Sequence, residues 1–240
     1  MSSNLRVLTF NIHSGRDFDG SYHLDQTIAL IHKINPDICG LQEVDRFWER
    51  SNFDDQTEKI ARSLKMNSFW APTLIDGRKE YGIILLSKFP IVSSHKIKLH
   101  NPQMVYRPGK LTEDRFLIWS TVRPNKEDCL GFGVTHLGFS EKEQKAQIVE
   151  ILSAVKDPCI LVGDFNMGSG EIPMLKLKEK LKDTNPGGEI VTEPNKEPKK
   201  QRDHIFVSQK IQIRDYQVVK SEVSDHYPVW ADLEIEKTDF

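Results

Sequence analysis

Residues 6–44, RVLTFNIHSGRDFDGSYHLDQTIALIHKINPDICGLQEV, contain the pattern that decides the predicted fold. The opening RVLTFNI is rich in β-branched and aromatic residues and predicts a strand. Three apolar residues then recur at helical spacing, namely Leu24, Ile28 and Ile31. Asn35-Pro36 ends this helix, and DICGLQEV predicts a second strand. A strand, a helix and a strand over so short a distance indicate a βαβ unit whose two strands are parallel.

Apolar segments along the rest of the chain predict further strands and helices. The strands are expected at residues 68–75, 81–87, 91–99, 116–122, 130–137, 159–163, 204–208, 211–219 and 229–236. The strands before residue 138 follow one another without long helices, which favours antiparallel sheet. Capping pairs place helix starts near Asp55 and Ser140, and a last helix is expected around residues 172–182. We therefore expect one domain over residues 1–240, with two sheets packed face to face and helices outside.

The composition is that of an ordinary globular protein, because 38% of the residues are hydrophobic, 28% are charged and the formal net charge is −2. No apolar run is long enough to span a bilayer, and the amino terminus shows no secretory signal. Cys39, Cys129 and Cys159 lie in apolar surroundings and predict buried free thiols in a reducing compartment. We therefore expect a cytoplasmic protein with no transmembrane segment and no obligate protein partner.

Several apolar segments begin or end with side chains that bind cations or phosphate. These residues are Asn11, Glu43, His136, Asp164, Asn166, Asp203, Asp225 and His226. The carboxylate and carboxamide oxygens of this set are the ligands that hard cations prefer, and the set contains no thiolate. Side chains two residues apart at a strand end point to the same side, so we expect Asp164 and Asn166 to face one substrate. Each residue alone is more often a turn former, but turn formers do not by chance assemble a complete metal, base and phosphate set.

The ordered motifs TFNIHSG, LQEVDR, YGIILLSKFPI, THLG, VGDFNMGSG, RDHIFVS and SDHYPVWADL resemble those of the endonuclease/exonuclease/phosphatase superfamily. The resemblance extends from about Arg6 to about Ile235 and is nearest to small bacterial metal-dependent hydrolases. It implies a four-layer α/β sandwich, with two mixed β-sheets packed face to face, helices outside and the site at one sheet edge. It also implies hydrolysis of phosphoesters with one or two Mg²⁺ or Mn²⁺ ions.

The resemblance implies roles for the acids and amides of the set. Glu43 is expected to be the principal metal ligand, with Asn11 and Asp225 beside it. Asp164 would orient or deprotonate the attacking water, and Asn166 would donate to a phosphoryl oxygen. These roles suit the chemistry, since phosphoester hydrolysis needs a Lewis acid, a proton acceptor and a fixed donor for developing charge.

The resemblance also implies roles for two histidines and their neighbours. His226 would contact the phosphate or assist proton transfer, with Asp203 fixing its tautomer, and His136 would steady the phosphate or help protonate the leaving oxygen. Arg115 stands where many relatives place an arginine that supports the phosphate, and an ion pair with one of the two preceding acids is the alternative. Glu80 is expected to hydrogen-bond His136.

The substrate is left open by the sequence, which predicts a phosphodiesterase or phosphatase acting on nucleic acid, a phospholipid or a small phosphoester. The basic run KEPKKQR at residues 196–202 lies in a long polar loop and could contact nucleic acid, although a solvated loop is the favoured interpretation. A catalytically inactive binding module on the same fold is the alternative function, but every expected site position is occupied. A zinc peptidase is disfavoured, because no HExxH helix is present.

Overall fold

The computed structural model of the chain describes residues 3–101, 113–125, 128–185, 187, 190–193 and 200–235. Its helices are α1 (Leu24–Ile34), α2 (Gln56–Leu64), α3 (Glu141–Ala154) and α4 (Ile172–Lys178). Its strands are β1 (Ser3–Asn11), β2 (Ile38–Arg46), β3 (Asn67–Asp76), β4 (Lys79–Ser87), β5 (Ile91–Leu99), β6 (Arg115–Val122), β7 (Leu130–His136), β8 (Cys159–Asp164), β9 (Leu181–Asp183), β10 (Asp203–Ser208), β11 (Gln212–Val218) and β12 (Val229–Ile235).

The strands form two mixed six-stranded sheets, with the orders β11-β12-β1-β2-β4-β3 and β5-β6-β7-β8-β10-β9. Strands β1 and β2 are parallel, which confirms the βαβ unit, and β7 and β8 form the corresponding parallel pair of the second sheet. The neighbouring pairs β3–β4, β5–β6 and β6–β7 are antiparallel, as the succession of strands predicts. Each sheet therefore has a parallel pair near its centre and antiparallel strands around it.

Each sheet buries one face against the other sheet and the opposite face against helices. Val7 and Val134 belong to the shared core between the sheets. On the far side of the first sheet, Phe10 packs in one cluster with Ile31 of α1 and with residues of α2. Residues of α3 and α4 pack in the same way against the far side of the second sheet. The predicted α/β sandwich with helices outside is confirmed.

The two sheets approach each other closely at Gly40 of β2. A Cβ atom at this position would lie 2.7 Å from Cγ1 of Val134 and 2.7 Å from Cγ2 of Val162, both in the opposite sheet. Contacts below about 3 Å between carbon atoms are far shorter than packed interiors allow. The glycine therefore permits the spacing that brings the edges of the two sheets together.

Local signals in the sequence account for several element ends. The Asp55 and Ser140 side chains accept hydrogen bonds from backbone N–H groups at the starts of α2 and α3, which confirms both predicted caps. The predicted helix at 172–182 is wrong beyond Lys178, because Leu181 is buried and pairs with Ser208 as part of β9.

The prediction that all cysteines are buried is wrong for Cys129, which is exposed. No helix among the described residues has the length and hydropathy needed to cross a bilayer.

Candidate active site

The first sheet supplies Asn11 and Glu43 to the candidate site. Asn11 is the last residue of β1, and its backbone pairs with Gln42 of β2. The prediction that Glu43 ends its strand is wrong, because β2 continues past it to Arg46. The pairing of β2 with β4 is instead interrupted between Leu41 and Val44, and Glu43 has a left-handed φ of 58°. This bulge turns the Glu43 side chain toward the sheet edge, which a regular strand would not do.

The second sheet supplies three site residues that are direct neighbours across its strands. His136, at the end of β7, pairs with Asp164, at the end of β8. Asp164 in turn pairs with Asp203, the first residue of β10. Because β7 and β8 are parallel and β10 is antiparallel to both, two strand ends and one strand start meet in a single row. The sheet register therefore brings together the predicted histidine and both predicted acids.

Asn11 connects the two sheets through its side-chain amide. Its Nδ2 donates to Oε1 of Glu43 at 2.9 Å and to Oδ2 of Asp164 at 3.0 Å. Its Oδ1 accepts from the backbone N–H of His13 at 3.1 Å, and the side chain is fully buried. The described contacts thus use Asn11 as a donor between two carboxylates, and its predicted role as a metal ligand stays a prediction.

The loop before β12 places His226 against the row of the second sheet. Nδ1 of His226 lies 2.8 Å from Oδ2 of Asp203, which is the pairing that the sequence predicts. Ser224 fixes the loop, since its hydroxyl donates to the backbone oxygen of Asn11 at 2.8 Å and accepts from the N–H of His226 at 3.2 Å. The second ring nitrogen, Nε2, is left to face Asp164, at 3.8 Å from Oδ2.

The charges of this buried cluster shift two pKa values. Burial lowers the pKa of His226, but the carboxylates of Asp203 and Asp164 outweigh it and raise that pKa to about 10. Burial raises the pKa of Asp164 to about 7, against the opposing effect of the His226 charge. Nε2 of His136 lies 3.6 Å from Oδ2 of the same carboxylate. Asp164 is therefore suited to exchange a proton near neutral pH, and His226 to carry a positive charge.

Asn166 reaches the site by a turn and not by the alternation of a strand. Strand β8 ends at Asp164, and Asn166 has a left-handed φ of 55°. Its backbone N–H donates to Oδ1 of Asp164 at 2.9 Å, and its Nδ2 donates to the backbone oxygen of Leu137 at 2.9 Å. An amide carries two N–H donors, so one hydrogen of Nδ2 remains for a ligand oxygen. The predicted strand alternation is therefore wrong for Asn166, and the prediction that both residues face one substrate stays a prediction.

Arg115 and Glu80 have described partners of their own. Arg115 opens β6 and is buried, and its NH1 donates to Oε1 of Glu113 at 2.8 Å, which is the alternative that the sequence left open. Oε2 of Glu80 accepts from Arg46 at 2.7 Å and from Nε1 of Trp70 at 2.9 Å. These contacts assign both residues to ion pairs, and their roles toward phosphate and His136 stay predictions.

Three residues near the site were not predicted to have a role in it. The Gln144 amide donates to the backbone oxygens of Gly138 and Asn166 and so ties α3 to both loops that follow β7 and β8. Glu193 is buried, lies 3.8 Å from Nε2 of His226 through its Oε1, and pairs with Arg202. Nothing in the sequence marks these contacts, because they join loops through side chains that follow no periodic pattern. Residues 196–199 of the basic run lie outside the described residues.

The oxygen atoms of Glu43 and Asp225 fit a hard divalent cation. Oδ1 of Asp225 lies 3.7 Å from Nδ1 of His13, a buried nitrogen without a hydrogen-bond partner among the described residues. Asp164, Asp203 and His226 are a second candidate, since their ligand atoms all lie within 4.8 Å of one another. That group suits a cation less well, because Nδ1 of His226 already bonds to Oδ2 of Asp203.

Comparisons with known proteins agree with this geometry. A model described as "Endonuclease/Exonuclease/phosphatase family" matches residues 8–226. The chain is similar in structure to an endonuclease/exonuclease/phosphatase from Beutenbergia cavernae, with a TM-score of 0.82 and 23% identity over 97% of this chain and 72% of that one. A mannosyl-6-phosphatase from Bacteroides thetaiotaomicron gives a TM-score of 0.72 and 20% identity over 95% of this chain and 99% of that one.

A human structure belongs to the same set of similar folds. The catalytic domain of human Nocturnin with bound sulfate gives a TM-score of 0.72 and 19% identity, over 96% of this chain and 93% of that one. Identities this low show a shared fold and no more. A sequence comparison with curated proteins finds no match.

Proposed function

The chain belongs to the endonuclease/exonuclease/phosphatase family, and from this premise we propose that it is a divalent-metal-dependent phosphodiesterase that cleaves a P–O bond by in-line attack of water. Family membership supports phosphoester hydrolysis in general. The observation that carries the finer proposal is the convergence on one carboxylate: Oδ2 of Asp164 lies 3.0 Å from the Asn11 amide and within 3.8 Å of both His136 and His226. We place this activity in a single catalytic domain.

Asp164 is the proton acceptor of the proposed reaction. Its carboxylate is held from both sides, by the Asn11 amide at Oδ2 and by the backbone N–H of Asn166 at Oδ1. A pKa of about 7 lets it accept a proton from water at neutral pH and release it afterwards. Mg²⁺ or Mn²⁺ held by Glu43 and Asp225 would supply Lewis-acid stabilisation of the phosphoryl charge.

The remaining site residues bind and orient the phosphate in this proposal. His226 is held by Asp203 through Nδ1, so Nε2 presents an N–H to a phosphoryl oxygen. The free amide hydrogen of Asn166 donates to the same group, and such fixed donors stabilise charge as it develops. His136, whose Nε2 lies 3.6 Å from Oδ2 of Asp164, would protonate the leaving oxygen.

The substrate class is proposed as a phosphodiester, with nucleic acid, phospholipid and small phosphoesters to be distinguished by experiment. The Bacteroides thetaiotaomicron neighbour acts as a mannosyl-6-phosphatase, which keeps small sugar phosphates in the test. A catalytically inactive binding module is the alternative function. The enzyme is favoured because every expected site position is occupied and because the Asn11 amide, His136 and His226 converge on the Asp164 carboxylate.

The test is hydrolysis of one panel by the wild-type protein with Mg²⁺, with Mn²⁺ and after treatment with a chelator. The panel contains bis-p-nitrophenyl phosphate, p-nitrophenyl phosphate, plasmid and single-stranded DNA, RNA, phosphoinositides, sphingomyelin and mannose 6-phosphate. We expect metal-dependent turnover, and we expect Asp164→Asn and His226→Ala each to lower kcat by about 10²–10⁴-fold.

Circular dichroism and thermal unfolding serve as controls that both variants are folded. Wild-type protein that is folded and inactive on the whole panel with either metal would favour the binding module. Activity that survives the chelator would contradict the metal-dependent mechanism.

A further inference from the structure

Glu193 and Arg202 form an ion pair beside the candidate site that the proposed chemistry does not use. Glu193 is 1% exposed, and its Oε2 accepts from Nε of Arg202. NH1 of the same guanidinium donates to the backbone oxygen of Asn166 at 2.8 Å. The pair is therefore attached to the loop that carries Asn166, and the Glu193 carboxylate is shielded from solvent.

The carboxylate of Glu193 faces the atom of His226 that would contact the phosphate. Nε2 of His226 lies 3.8 Å from Oε1 of Glu193 and 3.8 Å from Oδ2 of Asp164. A buried carboxylate next to a phosphate site is unfavourable for binding any anion, because two negative charges repel strongly where water does not screen them. A contribution to folding alone does not account for the Glu193 carboxylate at this place in the site.

The backbone around the pair is also held in place. The Thr192 hydroxyl accepts from the backbone N–H groups of Arg202 and Asp203 at 2.9 and 3.1 Å. The backbone oxygen of Thr192 accepts from the N–H of Tyr227 at 2.7 Å. The segments that carry Glu193, Arg202 and His226 are thus joined to one another by hydrogen bonds. The distance between the Glu193 carboxylate and His226 is set by this network and not by a free side chain.

We propose that Glu193 and Arg202 form a charge selector that favours singly charged phosphodiesters over doubly charged phosphomonoesters, an inference that rests on the proposed phosphoesterase function. A phosphodiester carries one negative charge, whereas a monoester carries about 1.5 to 2 at neutral pH. The repulsion from Glu193 grows with the charge on the phosphate, and Arg202 limits it by neutralising part of the carboxylate charge.

The two members of the pair therefore have opposite effects on selectivity. Glu193→Gln removes the negative charge and leaves the positive one, so the monoester should gain relative to the diester. Arg202→Gln removes the positive charge that pairs with the carboxylate, so the monoester should lose. A pair that served only to hold the loops would lower activity on both esters to the same extent in either variant.

The experiment compares Glu193→Gln, Arg202→Gln and the double variant with the wild type. The activity readout is the ratio of kcat/KM for p-nitrophenyl phosphate to that for bis-p-nitrophenyl phosphate. The binding readout is the Kd of inorganic phosphate against that of dimethyl phosphate, measured by calorimetry. We expect Glu193→Gln to raise the relative preference for the doubly charged ligand by about tenfold in both readouts, Arg202→Gln to lower it, and the double variant to fall between them.

Glu234→Gln is the matched control, since Glu234 also pairs with an arginine, Arg214, but lies across from Asn4 at the far end of β1. It makes the same change in net charge and should leave both ratios unaltered. Equal changes for both ligands in Glu193→Gln, or a shift of the same sign in Arg202→Gln, would overturn the selector.

The two readouts separate this inference from the proposed function. If the wild type hydrolyses neither ester, but the Kd of phosphate changes among the variants as expected, the proposed function is wrong and the selector is supported. If the diester is turned over and both ratios are unaltered in every variant, the proposed function is supported and the selector is wrong.

Discussion

Two separate groups of residues at this site could supply the ligands of a metal ion. Glu43 and Asp225 lie on the side of the first sheet and of His13, whereas Asp164, Asp203 and His226 form the buried cluster of the second sheet. The hydrogen bond between Nδ1 of His226 and Asp203 favours the first group, because it already uses two ligand atoms of the second. Single substitutions can separate the two alternatives, because each group has a member that the other lacks.

We predict that Mg²⁺ raises the unfolding temperature of the wild-type protein and that Glu43→Gln removes this effect, while Asp203→Asn retains it. Binding to the folded state alone stabilises it by about 2.7 kcal/mol at a ligand concentration of 100 times Kd. Differential scanning fluorimetry with and without Mg²⁺ measures the shift without any need for turnover. Loss of the shift in Asp203→Asn and its retention in Glu43→Gln would place the ion in the buried cluster.

The strands position the site because the two sheets lie close together at β2. Gly40 leaves room for Val134 and Val162 of the opposite sheet, and the strand then bulges at Glu43, three residues further on. The Asn11 amide crosses between the sheets to Asp164 just beyond this point of contact. A change in sheet spacing at Gly40 would therefore strain the hydrogen bond on which the site depends.

Gly40→Ala is predicted to destabilise the protein by about 1–3 kcal/mol, since the added methyl group overpacks the core between the sheets. Gly170→Ala is the matched control, because a Cβ there would meet nothing within 4 Å. Urea unfolding followed by circular dichroism measures both free energies of unfolding. Equal stabilities of the two variants would show that the sheets separate at no cost.

Sequence patterns predict the elements well and the site only in part. The βαβ unit, both helix caps and the succession of most strands along the chain follow from local signals, and the motifs identify residues that meet at the sheet edge. The bulge at Glu43 and the turn at Asn166 were not predicted, since the first depends on pairing with β4 and the second on a bond to Asp164. The Glu193 contact with His226 joins two loops and leaves no periodic trace in the sequence.

At the scale of the whole molecule, folding encloses a positive imidazolium between carboxylates at the junction of the two sheets. The pKa of His226 rises from 6.5 to about 10 on folding, because Asp203 and Asp164 outweigh the opposing effect of burial. The folded protein thus binds this proton more tightly than the unfolded chain. The resulting stabilisation is fully present below pH 6.5 and is lost as the pH rises toward 10.

We therefore predict that the difference in unfolding free energy between the wild type and His226→Gln shrinks as the pH rises from 6.5 to 10. The slope should not exceed about 1.4 kcal/mol per pH unit, which is the limit for one proton. Urea titrations of both proteins in a chelator, over a series of pH values, measure the difference. A difference that stays constant across this window would show that His226 is neutral in the folded protein.

The left-handed backbone at Glu43 has a consequence for the protein as a starting point for directed evolution. A glutamate with a φ of 58° is strained, whereas glycine adopts that conformation freely. Selection for heat resistance alone would thus reward glycine at position 43 and discard the carboxylate. Variants selected in this way would gain thermal stability and lose the carboxylate proposed to bind the metal ion. Directed evolution of this protein must therefore measure turnover in every round.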